Sequence, residues 1–188
     1  AIFPVTSTPV LTFSELVRAA EHDPTAYHAV DKRTRLRTIQ THYRDEFEQI
    51  RAQHQGGASG RNTITQLTAL ADYLVRGIVR FGMSEIKGGE KLRGRIAVCA
   101  LGGYGRGELN PYSDIDLCLI YSGRLDKTVQ QLNEYLVPMF WDVGFKMGYV
   151  MQEVGDAVTL AGSDLEVLTS YMHARLLYGD AALFAKLD

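Results

Sequence analysis

With 188 residues, 46% of them hydrophobic and 22% charged, the chain has the makeup of one globular unit, which excludes a disordered or fibrous protein. A formal net charge of −2 with the signs interspersed excludes the broad basic face of a nucleic-acid binder. No apolar stretch approaches the roughly 18–20 residues of a membrane helix, and Ala1 to Val5 lack the basic start of a signal peptide, so no membrane partner and a cytoplasmic location are expected.

From Thr12 onward the pattern is helical. Leu16, Val17 and Ala20 predict a short amphipathic helix that Pro24 interrupts. A charged helix follows over 29–53, with Leu36, Ile39, Tyr43, Phe47 and Ile50 forming one narrow apolar stripe and the run Asp31-Lys32-Arg33 facing solvent. After the flexible turn Gly56 to Gly60, a third helix to about Phe81 carries Leu67, Leu70, Leu74 and Ile78 at core spacing.

Gly88-Gly89 breaks this pattern. Ile96 to Leu101 is a continuous apolar run of the kind that makes a buried strand, and Ile115 to Tyr121 is a second strand beginning after a Pro-Tyr-Ser turn. A helix is predicted over 125–143, a third strand over 149–154, and a further helix over 164–178 with Ser163 or Asp164 at its N-cap. The segment 180–187 is helical in character and stops at Asp188, as expected of a piece of a longer protein. The fold class is therefore α+β, a small mixed sheet with flanking helices (89–188) behind an N-terminal helical extension (1–88). Cys99 and Cys118 sit inside apolar runs and read as core. The five histidines share no spacing that suggests a metal or a catalytic role, and Phe140, Trp141 and Phe145 read as core aromatics.

The chemistry concentrates between Gly102 and Leu117. Asp114 and Asp116, two residues apart at the start of a strand, emerge on one face with Cα atoms about 6–7 Å apart. Two bare carboxylates at that distance repel by about 2–3 kcal/mol at an effective dielectric near 20, and a divalent cation such as Mg²⁺ relieves this. Ahead of them, Gly102 and Gly103 end a strand and let backbone N–H groups approach an anion, while Arg106 adds a charge-assisted contact. A phosphate-cradling turn about ten residues before a same-face acidic pair is what phosphoryl transfer from a nucleoside triphosphate needs.

Gly102-Gly103-Tyr104-Gly105-Arg106-Gly107-Glu108-Leu109, then Pro111, then Ser113-Asp114-Ile115-Asp116-Leu117, resembles the signature of the polymerase-β-type nucleotidyltransferases, and in detail that of the bacterial PII uridylyltransferase/uridylyl-removing enzymes. Phe140 to Gly144, Gly148, Asp164 to Thr169 and Ala174 to Gly179 fit the same family. The resemblance implies transfer of UMP from UTP to a tyrosine of the PII nitrogen-regulatory protein, with Asp114 and Asp116 holding Mg²⁺, Gly102 and Gly103 cradling the triphosphate, and Arg106 and Ser113 as further nucleotide contacts. It also implies HD and ACT domains, neither of which lies within these residues. Where the family reads His-Ser-Val-Arg-Thr after its glycine, this chain has Tyr149 to Glu153, so Gln152 replaces a basic residue and Glu153 becomes a candidate third carboxylate. Two alternatives share these features: a glutamine synthetase adenylyltransferase-like enzyme, and a catalytically idle module that binds nucleotide for regulation.

Overall fold

The computed structural model describes residues 11–187; Ala1 to Val5, the beginning of the 1–88 extension and Asp188 lie outside them. Four helices come first. Thr12 caps α1 (Phe13–His22) in a capping box with Glu15, Asp23 caps α2 (Pro24–Ala29), Asp31 caps α3 (Lys32–Gln55) and Ser59 caps α4 (Gly60–Glu85). Each helix thus begins where a short side-chain oxygen can take an otherwise orphan N–H. Pro24 starts α2 rather than simply ending α1, because its missing N–H costs nothing at a first helical position. On α3, Ile39 and Ile50 are buried as the stripe predicts, and Arg35 is buried beside them. Its guanidinium donates to the Tyr27 and Val30 carbonyls and pairs with Glu85 at 2.6 Å.

The second half holds a four-stranded mixed sheet in the order β3-β2-β1-β4. β1 (Ile96–Ala100) pairs antiparallel with β2 (Ile115–Tyr121), placing Cys99 opposite Cys118. α6 (Lys127–Val143) carries the chain back so that β3 (Met147–Glu153) runs parallel to β2. The four-residue helix α5 (Gly102–Gly105) sits between β1 and β2. Beyond β3 come α7 (Val154–Ser163), α8 (Leu165–Tyr171), β4 (Arg175–Gly179) and α9 (Ala181–Phe184).

Two expectations change here. The helix predicted over 164–178 ends at Tyr171, and residues 175–179 are instead an antiparallel strand on the free edge of β1. The stretch 154–163, left without an element in the sequence, is α7. Asp164 is indeed a cap, accepting from the amides of Glu166 and Val167.

Strand alternation sorts the core onto the two faces of the sheet. Val98, Ala100, Ile115, Leu117 and Leu119 face one cluster shared with α1, α3, α4 and α6, so a single core runs through both halves of the chain. Ala97, Cys99, Cys118 and Ile120 face a smaller cluster closed by Ala157, Tyr171 and Leu183. Both cysteines are fully buried, and burial pushes both thiols above their ordinary range, away from reactive thiolate. Phe140 and Phe145 stack in the core at 5.9 Å between ring centroids. Trp141, read with them as core, is 57% exposed, because it lies on the outward side of α6. Among the described residues no helix is long and apolar enough to cross a membrane.

Candidate active site

Antiparallel β1 ends where β2 begins, and parallel β3 begins at that same end, so three connections meet at one edge of the sheet. Asp114 immediately precedes β2, and Asp116 is its second residue, on the face that continues into Cys118 and Ile120. Burial first, and the charge of Asp114 second, push the Asp116 carboxyl above the ordinary aspartate range. Asp114 has a partner, the Lys146 ammonium at 3.0 Å; among the described ion pairs Asp116 has none. The expected pair is therefore together, with its inner member short of positive charge.

Two glycines make room for Asp116. Gly102, at φ +55°, is in the left-handed region, and a Cβ there would come within 3.4 Å of Asp116 Oδ2. Gly148 is the register partner of Asp116 across the parallel pair, and a Cβ there would stand 2.5 Å from Asp116 Oδ1. Gly148→Ala is expected to swing the carboxylate aside, lowering transfer about tenfold or more while the melting temperature moves little, since a side-chain tip and not backbone must yield. Kinetics paired with thermal unfolding of the variant would check this, and unchanged kinetics would count against a role for that carboxylate position.

Gly102, Gly103 and Arg106 line one open cleft of about 610 Å³, whose other wall is α8 and His173. Arg106 ion-pairs with Glu108 at 2.8 Å, so an incoming anion would have to exchange with that carboxylate. Ser113 does not join this cleft. It lines a separate cavity of about 410 Å³ with Tyr43, Phe47 and Lys146, and its amide donates to the Asn110 carbonyl.

The candidate third carboxylate is displaced. Glu153 pairs with Tyr121, five residues along β3 from Gly148, about 16 Å away at 3.3 Å per residue. It is the N-cap of α7, accepting from the amides of Gly155 and Asp156. Gln152, where the sequence departs from the resembled pattern, accepts a 2.6 Å hydrogen bond from the Tyr171 hydroxyl and so helps anchor the end of α8.

Sequence reasoning missed the residues that hold the glycine turn in place. Arg175, first in β4, donates from Nε to the Gly105 carbonyl (3.3 Å) and from Nη2 to the Tyr104 carbonyl (3.2 Å). The same guanidinium grips Asp72 of α4 through two bonds of 2.5 and 2.9 Å. One helical turn away, Thr68 donates to the Gly107 carbonyl and accepts from the Leu109 amide. α4 thus fixes the turn through two polar side chains four residues apart. The sequence signal, polar residues at the edge of the α4 core stripe, was present but had no partner in view.

Among the described residues no three His, Cys, Asp or Glu side chains converge on one point. Asp114 and Asp116 still suit Mg²⁺, which takes one or two carboxylates and completes its shell with water and phosphate oxygens. An unpaired carboxylate beside a phosphate-sized opening is the donor chemistry such an ion requires.

Residues 86–150 match the family described as a nucleotidyltransferase domain. Three relatives named bifunctional uridylyltransferase/uridylyl-removing enzyme are similar to the chain. That of Azospirillum brasilense is 33% identical over 145 residues, covering 76% of this chain and 16% of the relative. That of Nitrosococcus oceani is 42% identical over 94 residues (50% and 10%), and that of Cupriavidus metallidurans 37% over 114 residues (61% and 13%). The chain spans 10 to 16% of the length of these relatives. Its acidic pair and the glycine turn both fall inside the matched segment, and residues 86–150 are a nucleotidyltransferase domain within a chain similar to the bifunctional uridylyltransferase/uridylyl-removing enzymes.

Proposed function

We propose that this chain performs Mg²⁺-dependent nucleotidyl transfer, moving UMP from UTP to a tyrosine hydroxyl of a PII-type regulatory protein in the cytoplasm. The observation that carries the transfer chemistry is the Asp114–Asp116 pair set against Gly102, with Asp116 left without a cationic partner. The uridylyl group follows the names of the relatives, and the PII acceptor follows the signature's resemblance.

In this reading Asp114 and Asp116 hold the metal, which when bound neutralises charge on the triphosphate. Gly102 and Gly103 accept the phosphates against their backbone, where a side chain would obstruct. Arg106 exchanges Glu108 for phosphate oxygen, and Ser113 contributes through the loop that delivers Asp114. The phenol oxygen of the acceptor bonds to the α-phosphorus, the bond to the bridging α–β oxygen breaks, pyrophosphate leaves and the phenol proton passes to solvent.

The test is incubation of the chain with Mg²⁺, labelled UTP or ATP, and PII-type protein or glutamine synthetase as acceptor. Label from UTP on the PII-type protein is expected. Label from ATP would overturn the donor assignment, and nucleotide binding without any transfer would make this a regulatory binding module.

A further inference from the structure

The cleft beside the glycine turn has two walls of different chemistry. One carries Gly102, Gly103 and Arg106; the other carries Glu166, Ser170 and His173, spaced by four and three residues and so presented along one face of α8 and its extension. We propose that this second wall binds the nucleoside part of the nucleotide, its ribose and base, and thereby sets donor specificity. The inference rests on the nucleotidyl-transfer reading above.

Charge decides the orientation. The Glu166 carboxylate repels a triphosphate, which is drawn instead to the glycine turn, Arg106 and the metal-holding acids. A carboxylate accepts hydrogen bonds from the hydroxyls of a ribose, while a serine hydroxyl and an imidazole each offer both donor and acceptor to a base edge. Among the described hydrogen bonds and ion pairs, the side chains of Glu166, Ser170 and His173 take no part, so this polar stripe has no structural duty to explain it. A volume of about 610 Å³ is within the range of small-molecule sites.

The wall is also held at a fixed distance from the turn. A Cβ on Gly105 would overlap the His173 carbonyl, so the segment leaving α8 packs directly on the turn's backbone. Asp164 caps α8 at its start, and Tyr171, buried and bonded to Gln152, ties down its end. Preorganisation of this kind is what a specificity wall needs.

Calorimetric titration of the chain in Mg²⁺ with UTP, ATP and inorganic tripolyphosphate tests the assignment, using Glu166→Gln, Ser170→Ala and His173→Ala with thermal unfolding as a folding control. Wild type is expected to bind UTP more tightly than tripolyphosphate. Glu166→Gln and His173→Ala are each expected to weaken UTP about tenfold, the effect of one lost hydrogen bond to a charged or ring group, and to leave tripolyphosphate unchanged. Unchanged UTP affinity in all three variants, or equal weakening of UTP and tripolyphosphate, would overturn the nucleoside wall while leaving the transfer reading intact. A wild-type chain that binds neither ligand would overturn both.

Discussion

Asp116→Asn is expected to reduce nucleotidyl transfer by on the order of 10³-fold or more, because a metal ion's contribution of several kcal/mol to the barrier is lost with its ligand. The same substitution is expected to leave the melting temperature at neutral pH unchanged or slightly raised. The sign follows from the raised carboxyl of Asp116, pushed up by burial and by Asp114. A carboxyl easier to protonate in the folded state than in the unfolded chain costs stability while charged, and that cost fades as pH falls through its folded pKa. Asparagine removes the cost, so the gap between variant and wild type is expected to narrow on acidification. Asp114→Asn is expected to lose activity similarly with a smaller stability change, since it also gives up an exposed pair with Lys146 of little net worth. Transfer assays beside melting curves from pH 4 to 8 would read both effects. A large loss of stability in either variant would make the pair structural and remove the main support for metal binding.

Arg175→Ala is expected to be the most damaging change outside the acidic pair. It leaves Asp72, only 13% exposed at its side chain, without its bidentate partner, and frees the Tyr104 and Gly105 carbonyls at once. Stripping one member from a buried pair costs about 3–5 kcal/mol; the partial exposure of Arg175 reduces this to about 2–3 kcal/mol, or roughly 5–10 °C in melting temperature for a chain of this size. Loosening the turn is expected to lower transfer about 100-fold even at temperatures where the variant is fully folded, as displacement of a positioning group by an ångström can do. Arg175→Lys keeps the charge but loses the planar fork, so it is expected to recover part of the stability and little of the activity. Equal loss of stability with full activity per folded molecule would reduce Arg175 to a strut.

What the sequence made legible was the chemistry that is local in the chain. Ile115 to Tyr121 announces a strand by its unbroken β-favouring run, and Asp114 and Asp116 follow from that strand's period of two. Residues 175–179 were misread because Leu176, Leu177 and Tyr178 are compatible with either period, and no glycine or proline marks the break between Tyr171 and Arg175. α7 was missed because Glu153 is at once the last residue of β3 and the cap of the helix, leaving no loop to signal a change. The latch of Thr68, Asp72 and Arg175 was out of reach for another reason. Asp72 and Arg175 are 103 residues apart, and nothing in the composition of either segment names the other.

The grip of α4 on the glycine turn also bears on where this activity can be cut and transplanted. The segment shared with nucleotidyltransferase domains, 86–150, contains every residue expected to touch metal or phosphate, yet the supports at Thr68, Asp72 and Arg175 all lie outside it. A graft that carried only the recognisable segment would move the tools without the bench they are bolted to. The smallest unit able to inherit the chemistry is therefore larger than the stretch by which it is recognised.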